Sequence, residues 1–200
     1  MLFPKNNANV PTFVLVSIIL FVGLSRYLPI EYPLLFNFSP VIAIFLFCGA
    51  WLKGYLSWTV PITTVFITDL LLNPSYGKNL LEPFMLTTLA SYFLVWLLGK
   101  NIGNGSSLKV WFGGAILSAL FFHIITCTFA WIINPAYLKT VPGLFQAIIF
   151  GEPGFAPSYL FLRNTLLSTV FFSLAFRWAY LCLNKFCMNT QTNLSLSPKI

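Results

Sequence analysis

One pattern recurs six times along this chain: an apolar run with at most two charged residues, closed by a short polar or proline-containing stretch. The runs cover residues 10–28, 38–52, 55–72, 80–98, 110–133 and 159–183. As helices rising about 1.5 Å per residue, most of them reach across the about 30 Å of hydrocarbon in a bilayer. Hydrophobic residues make up 58% of the 200 and charged ones only 8%, too few to coat a soluble globule. Backbone groups in lipid must be paired within their own segment, and the runs lack the long period-two alternation of a barrel. The expected fold is therefore an all-α integral membrane protein. It is a six-helix transmembrane bundle in a single domain, residues 1–188, with a loose polar tail at 189–200. The second run is short and suits a little-tilted or partly re-entrant helix.

The first run follows Lys5 and has Gly23 and Ser25 near its end, as a cleaved signal peptide would. Arg26 and the lack of an Ala-x-Ala-like site favour a retained helix. The net charge of +7 does not point to nucleic acid, because the eleven Lys and Arg residues are scattered singly among apolar runs. They read instead as topology signals. Six crossings leave both termini on one side, with Lys5, Lys53, Lys100, Lys109, Arg177, Lys185 and Lys199. Arg26, Lys78, Lys139 and Arg163 fall on the other side with every acidic residue, Glu31, Asp69, Glu82 and Glu152. The excess of basic residues predicts cytoplasmic termini.

Asp69 is the first candidate for function. A carboxylate inside an apolar helix costs about 2.5–3.5 kcal/mol even on lenient scales, so it should face a cavity or a partner. Arg26, Arg163 and His123 are the available partners, and all could approach one outward-opening pocket. A structural ion pair between Asp69 and an arginine is the alternative. His123 suits a neutral interhelical hydrogen bond better than a metal or a proton relay, since no second His or carboxylate shares its helix face. In Asn37-Phe-Ser-Pro40, Ser39 can cap a helix whose first position Pro40 fills, and an outward helix start with Asn37 beside it could also bind a ligand. Residues 134–158 hold four prolines around an apolar piece, 144–150, too short to cross. An interfacial or re-entrant segment is expected there, either a lid walled by Trp131 and its aromatic neighbours or a plain connection. Gly114 with Ser118, and Ala115 with Ala119, favour close packing inside the bundle.

Catalytic chemistry finds little support. There is no Gly-x-Ser-x-Gly, no His-Glu-x-x-His, and no Gly-x-x-x-x-Gly-Lys-Ser/Thr loop for a nucleotide. Cys182 and Cys187 lie at the cytoplasmic end without further ligands, so no metal or other cofactor is expected.

Several pieces taken together resemble a known architecture. They are Arg26-Tyr-Leu-Pro29, Asn37-Phe-Ser-Pro40, Gly49-Ala50, Pro61, Asp69, Thr126-Cys127 with Trp131, and Phe161-Leu-Arg-Asn-Thr165. Their order resembles an uncharacterised bacterial family of small transporter-like proteins, itself similar in size and helix count to the S components of energy-coupling factor transporters. Cys127 stands where Asn would be expected, Ser168-Thr169 where Gly-Asp would be, and the first helix lacks a clear Ala-x-x-x-Ala. The resemblance implies a non-enzymatic solute-binding subunit or small transporter of the bacterial cytoplasmic (inner) membrane. It would take a small-molecule solute through a pocket of Asp69, Arg26, Arg163 and Asn37, with His123 and Trp131 nearby. A separate energising, nucleotide-hydrolysing module would be its partner. An intramembrane enzyme and a non-transporting assembly factor are the alternatives.

Overall fold

The computed structural model describes the backbone of residues 12–77 and 83–196; Lys5, Lys78, Glu82 and Lys199 of the charge count lie outside the described residues. Each of the six apolar runs holds a helix, and no strand occurs among the described residues. An N-terminal arm consists of α1 (Thr12–Gly23), a 3₁₀ turn (Leu24–Tyr27) and the short α2 (Leu28–Glu31). It is followed by α3 (Val41–Trp51), α4 (Leu56–Leu72), α5 (Pro83–Ile102), α6 (Leu108–Ile133), α7 (Val141–Ile149) and α8 (Ser158–Leu196). Four stretches among the described residues are long and apolar enough to cross a membrane: Thr12–Glu31, Phe84–Ile102, Leu108–Ile133 and Ser158–Cys187. α3 and α4 are shorter apolar helices.

α3 is the axle of the bundle. Its 11 residues span only about 16 Å as a helix, yet all but Ala50 are buried, with α4, α5, α6 and α8 packed around it. The residues that flank so short a helix, Pro40 and Leu52, are buried as well. α5 comes closest. A methyl group on Gly49 would collide with the Trp96 carbonyl oxygen, and one on Gly99 with that of Leu46, so both positions need the missing side chain.

Rings fill the remaining space around α3 and record the helix directions. Phe45 stacks on Tyr92 at 4.9 Å, and Tyr92 on Phe122 at 5.3 Å. Phe38 meets Phe172, and Phe47 meets Phe176 and Tyr180, so α3 and α8 run the same way. Trp51 at the end of α3 meets Trp111 at the start of α6, edge-on at 4.6 Å, so α6 runs the opposite way. Trp111 Nε1 then donates to the Ser173 carbonyl at 2.9 Å.

Several buried hydroxyls are satisfied by the helix that carries them. Thr64, Thr68, Ser118 and Thr126 each donate to the carbonyl four residues back, a bond a helix offers where no solvent reaches. Gly114, Ala115, Ser118 and Ala119 are all buried, as expected of a close seam within the bundle. The piece at 144–150 lies in α7 up to Ile149, a helix started by Thr140, whose hydroxyl accepts from Gly143 N at 3.3 Å. Ser39 Oγ accepts from Val41 N at 3.4 Å, but Pro40 stands at the N-cap, one position earlier than expected. α8 continues to Leu196, so residues 189–196, expected as loose tail, are helical.

Candidate functional site

Arg26 and Asp69 find each other. The 3₁₀ turn at the end of α1 carries Arg26 toward the last turn of α4, where Nη1 lies 2.7 Å from Asp69 Oδ1. The same nitrogen donates to Thr68 Oγ1 and, at 3.5 Å, to the Val65 carbonyl. The two side chains are only 18% and 19% exposed, so each charge replaces much of the hydration the other has lost. The pair fixes the C-terminal part of the arm to α4, the helix it chiefly touches. Tyr92 of α5, buried between Phe45 and Phe122, lies within the electrostatic reach of both charges.

The other residues singled out by sequence gather in two further groups. Arg163 is exposed, and its Nε donates to the Oδ1 of its neighbour Asn164 at 3.1 Å. Asn164 is the more deeply engaged of the two. It is 4% exposed, and its Nδ2 donates to the carbonyls of Leu34 and Phe36 at 3.0 and 2.8 Å. It thus clamps the loop before α3, aided by the Phe36–Phe161 ring contact. Asn37 follows in that loop, exposed, with a left-handed backbone at φ 59° that asparagine tolerates better than most residues.

His123 and Trp131 serve the α6–α8 connection. His123 Nε2 lies 2.9 Å from the Ile148 carbonyl. A carbonyl only accepts, so Nε2 carries the proton and ties α6 to α7. Cys127 Sγ sits 3.7 Å from the same nitrogen. Trp131 Nε1 donates to the Leu138 carbonyl at 2.8 Å, and Lys139 Nζ lies 6.0 Å over its ring. Asn134 donates to Glu152 Oε2 at 2.7 Å. Burial, then the nearby Glu152 carboxylate, raises the Tyr137 phenol above its ordinary pKa and keeps it neutral.

A cavity of about 440 Å³ opens between the arm and α8. Its apolar wall is Phe21, Val22, Leu24 and Leu28, faced by Phe172, and its polar groups are Ser25, Tyr27 and Glu31. None of the six residues singled out from sequence lines it. Arg26 nevertheless lies in the same turn as Ser25 and Tyr27, so its bond to Asp69 holds one wall of the cavity in place. No group of three or more potential metal-ligating side chains occurs among the described residues.

The model of a family of unknown function, DUF6580, matches residues 6–190. The chain belongs to this family. Within the DUF6580 span fall the Arg26–Asp69 pair, the Asn164 clamp, the α7 connection and the whole cavity. No curated protein and no solved structure matches the chain.

Sequence reasoning gave Asn164, Ser25 and Glu31 no place in the site. Asn164 left one available signal, a lone amide inside an apolar run, which must find partners in the bundle as Asp69 must. Ser25 and Glu31 left none, because their relevance depends on which side of the arm faces α8.

Proposed function

We propose that this DUF6580 protein is a membrane-embedded solute-binding subunit or small transporter that takes up a small molecule from the side opposite its termini. The observation that carries this reading is the cavity of about 440 Å³ beside a desolvated ion pair. Small-molecule sites are concave, mostly apolar and marked by a few placed polar groups, and charges inside apolar helices mark solute pathways. In this reading all six apolar segments cross. α3 does so as a short helix completed by its flanking loops, and both termini lie in the cytoplasm of a bacterial cell. The cavity, Asp69, the Asn164 clamp and α7 then share the outer half of the bundle. α7 lies across that end as a small interfacial or re-entrant lid, tied by His123 and Trp131. Asn37 and Arg163 stand at the rim, and Arg26 and Asp69 position the wall. Energy for uptake, where used, comes from a separate nucleotide-hydrolysing module, because the chain has no phosphate-cradling loop of its own.

The test is native mass spectrometry of gently purified protein, with solvent extraction of whatever small molecules it retains. A reproducible compound bound one to one, and lost when Leu24→Trp fills the cavity, is expected. Protein that retains only bulk lipid and binds no member of a small-metabolite library would contradict the proposal.

A further inference from the structure

The cavity's polar groups support a narrower statement about the solute, which rests on the solute-binding reading above. Ser25 Oγ is buried with no hydrogen-bond partner, and among the described residues the Tyr27 hydroxyl makes no hydrogen bond and the Glu31 carboxylate no ion pair. The positive charge nearest in sequence, Arg26, is turned toward α4, where Asp69, Thr68 and the Val65 carbonyl hold it. The cavity is thus left with one anionic group at its rim, the Tyr27 hydroxyl, and no cation among its lining residues. An anionic solute would meet Glu31 without a compensating partner. A plain hydrocarbon tail would fill the apolar wall but give the Glu31 carboxylate no counter-charge.

We propose that the cavity takes a small amphiphilic cation, its apolar body against Phe21, Leu24, Leu28 and Phe172 and its ammonium head at Glu31. An ammonium has donors only, and the carboxylate oxygens of Glu31 supply the acceptors it needs. The volume lies in the range of small-molecule pockets. The binding force is divided accordingly. Apolar burial gives affinity for the body, and the carboxylate gives discrimination by charge.

The full chain in phosphatidylcholine nanodiscs tests this by equilibrium dialysis against three probes of one shape: 4-phenylbutylamine, 4-phenylbutanol and 4-phenylbutyrate. The amine is expected to bind at least about tenfold more tightly than the other two, and Glu31→Gln should remove about that factor for the amine alone. Glu31 is exposed, so the variant should unfold at the parent's temperature. Leu28→Trp, which fills the cavity from an exposed position, should abolish binding of all three. Equal affinity for the three probes, or an unchanged amine affinity in Glu31→Gln, overturns the cationic assignment. So does a phospholipid that is retained in the cavity and not displaced by the amine. If the protein retains an anionic or neutral small molecule in native mass spectrometry, the cationic assignment fails while the solute-binding reading stands. If it retains none and binds no probe, both fail.

Discussion

α1 and α3 are almost equally apolar, yet they sit at opposite extremes of the bundle. α3 is buried on nearly every side, whereas Phe13 and Phe21 of α1 are 71% and 76% exposed. Hydrophobicity alone cannot separate a helix that meets protein from one that meets lipid, because both surroundings are equally apolar. Fit and polar contacts separate them. α3 sets Gly49 against the Trp96 backbone of α5, takes Gly99 of α5 against its own Leu46, and offers a ladder of rings to α8. The arm offers one charged side chain, Arg26, to one carboxylate, and a cleft remains where it stands away from Phe172.

The sharpest way to break this comparison is to spoil the fit on the α3 side. Gly99→Leu must push α5 away from the Leu46 backbone and should lower stability by about 3 kcal/mol, read as a drop in unfolding temperature in detergent. Phe21→Leu on the arm should shift it by less than about 0.5 kcal/mol. Comparable losses would erase the distinction between axle and arm.

Breaking the pin should come next in size. Asp69→Asn leaves Arg26 without its counter-charge in a partly buried site and should cost about 1–3 kcal/mol, less than a fully buried pair because both side chains keep some exposure. Amide hydrogen exchange should speed up across the arm while α3 stays protected. Uniform acceleration would mean that the arm and axle unfold as one unit.

Asn164→Ala should act smaller and elsewhere. Losing the bonds to the Leu34 and Phe36 carbonyls should cost about 1–2 kcal/mol, with faster exchange confined to the loop before α3. Faster exchange in the arm instead would show that the clamp, not the ion pair, holds the arm.

Much of this was legible in the residues. Six apolar runs gave the helices, and the cost of a carboxylate at Asp69 called for a cavity or a partner, with Arg26 among the candidate partners. Arg163 was an equally good candidate by that logic. It is exposed and bonds Asn164, so solvent meets part of its need, a fact set by helix rotation that charge and position cannot reveal. His123 was expected to make an interhelical hydrogen bond, and its partner is a main-chain carbonyl of α7, which no side-chain pattern announces. The brevity of α3 was visible, but its burial was not, because burial depends on glycines and rings in three other helices. The cavity was least visible of all, since it exists only through the spacing between the arm and α8.

The claim on which the rest turns is that Arg26 and Asp69 hold each other and thereby set the wall of the cavity. A double-mutant cycle measures it directly, with unfolding free energies for the parent, Arg26→Gln, Asp69→Asn and the double variant. The account predicts a coupling of about 1 kcal/mol or more, with the double variant less destabilised than the sum of the singles. Single effects that add to within about 0.3 kcal/mol would contradict it.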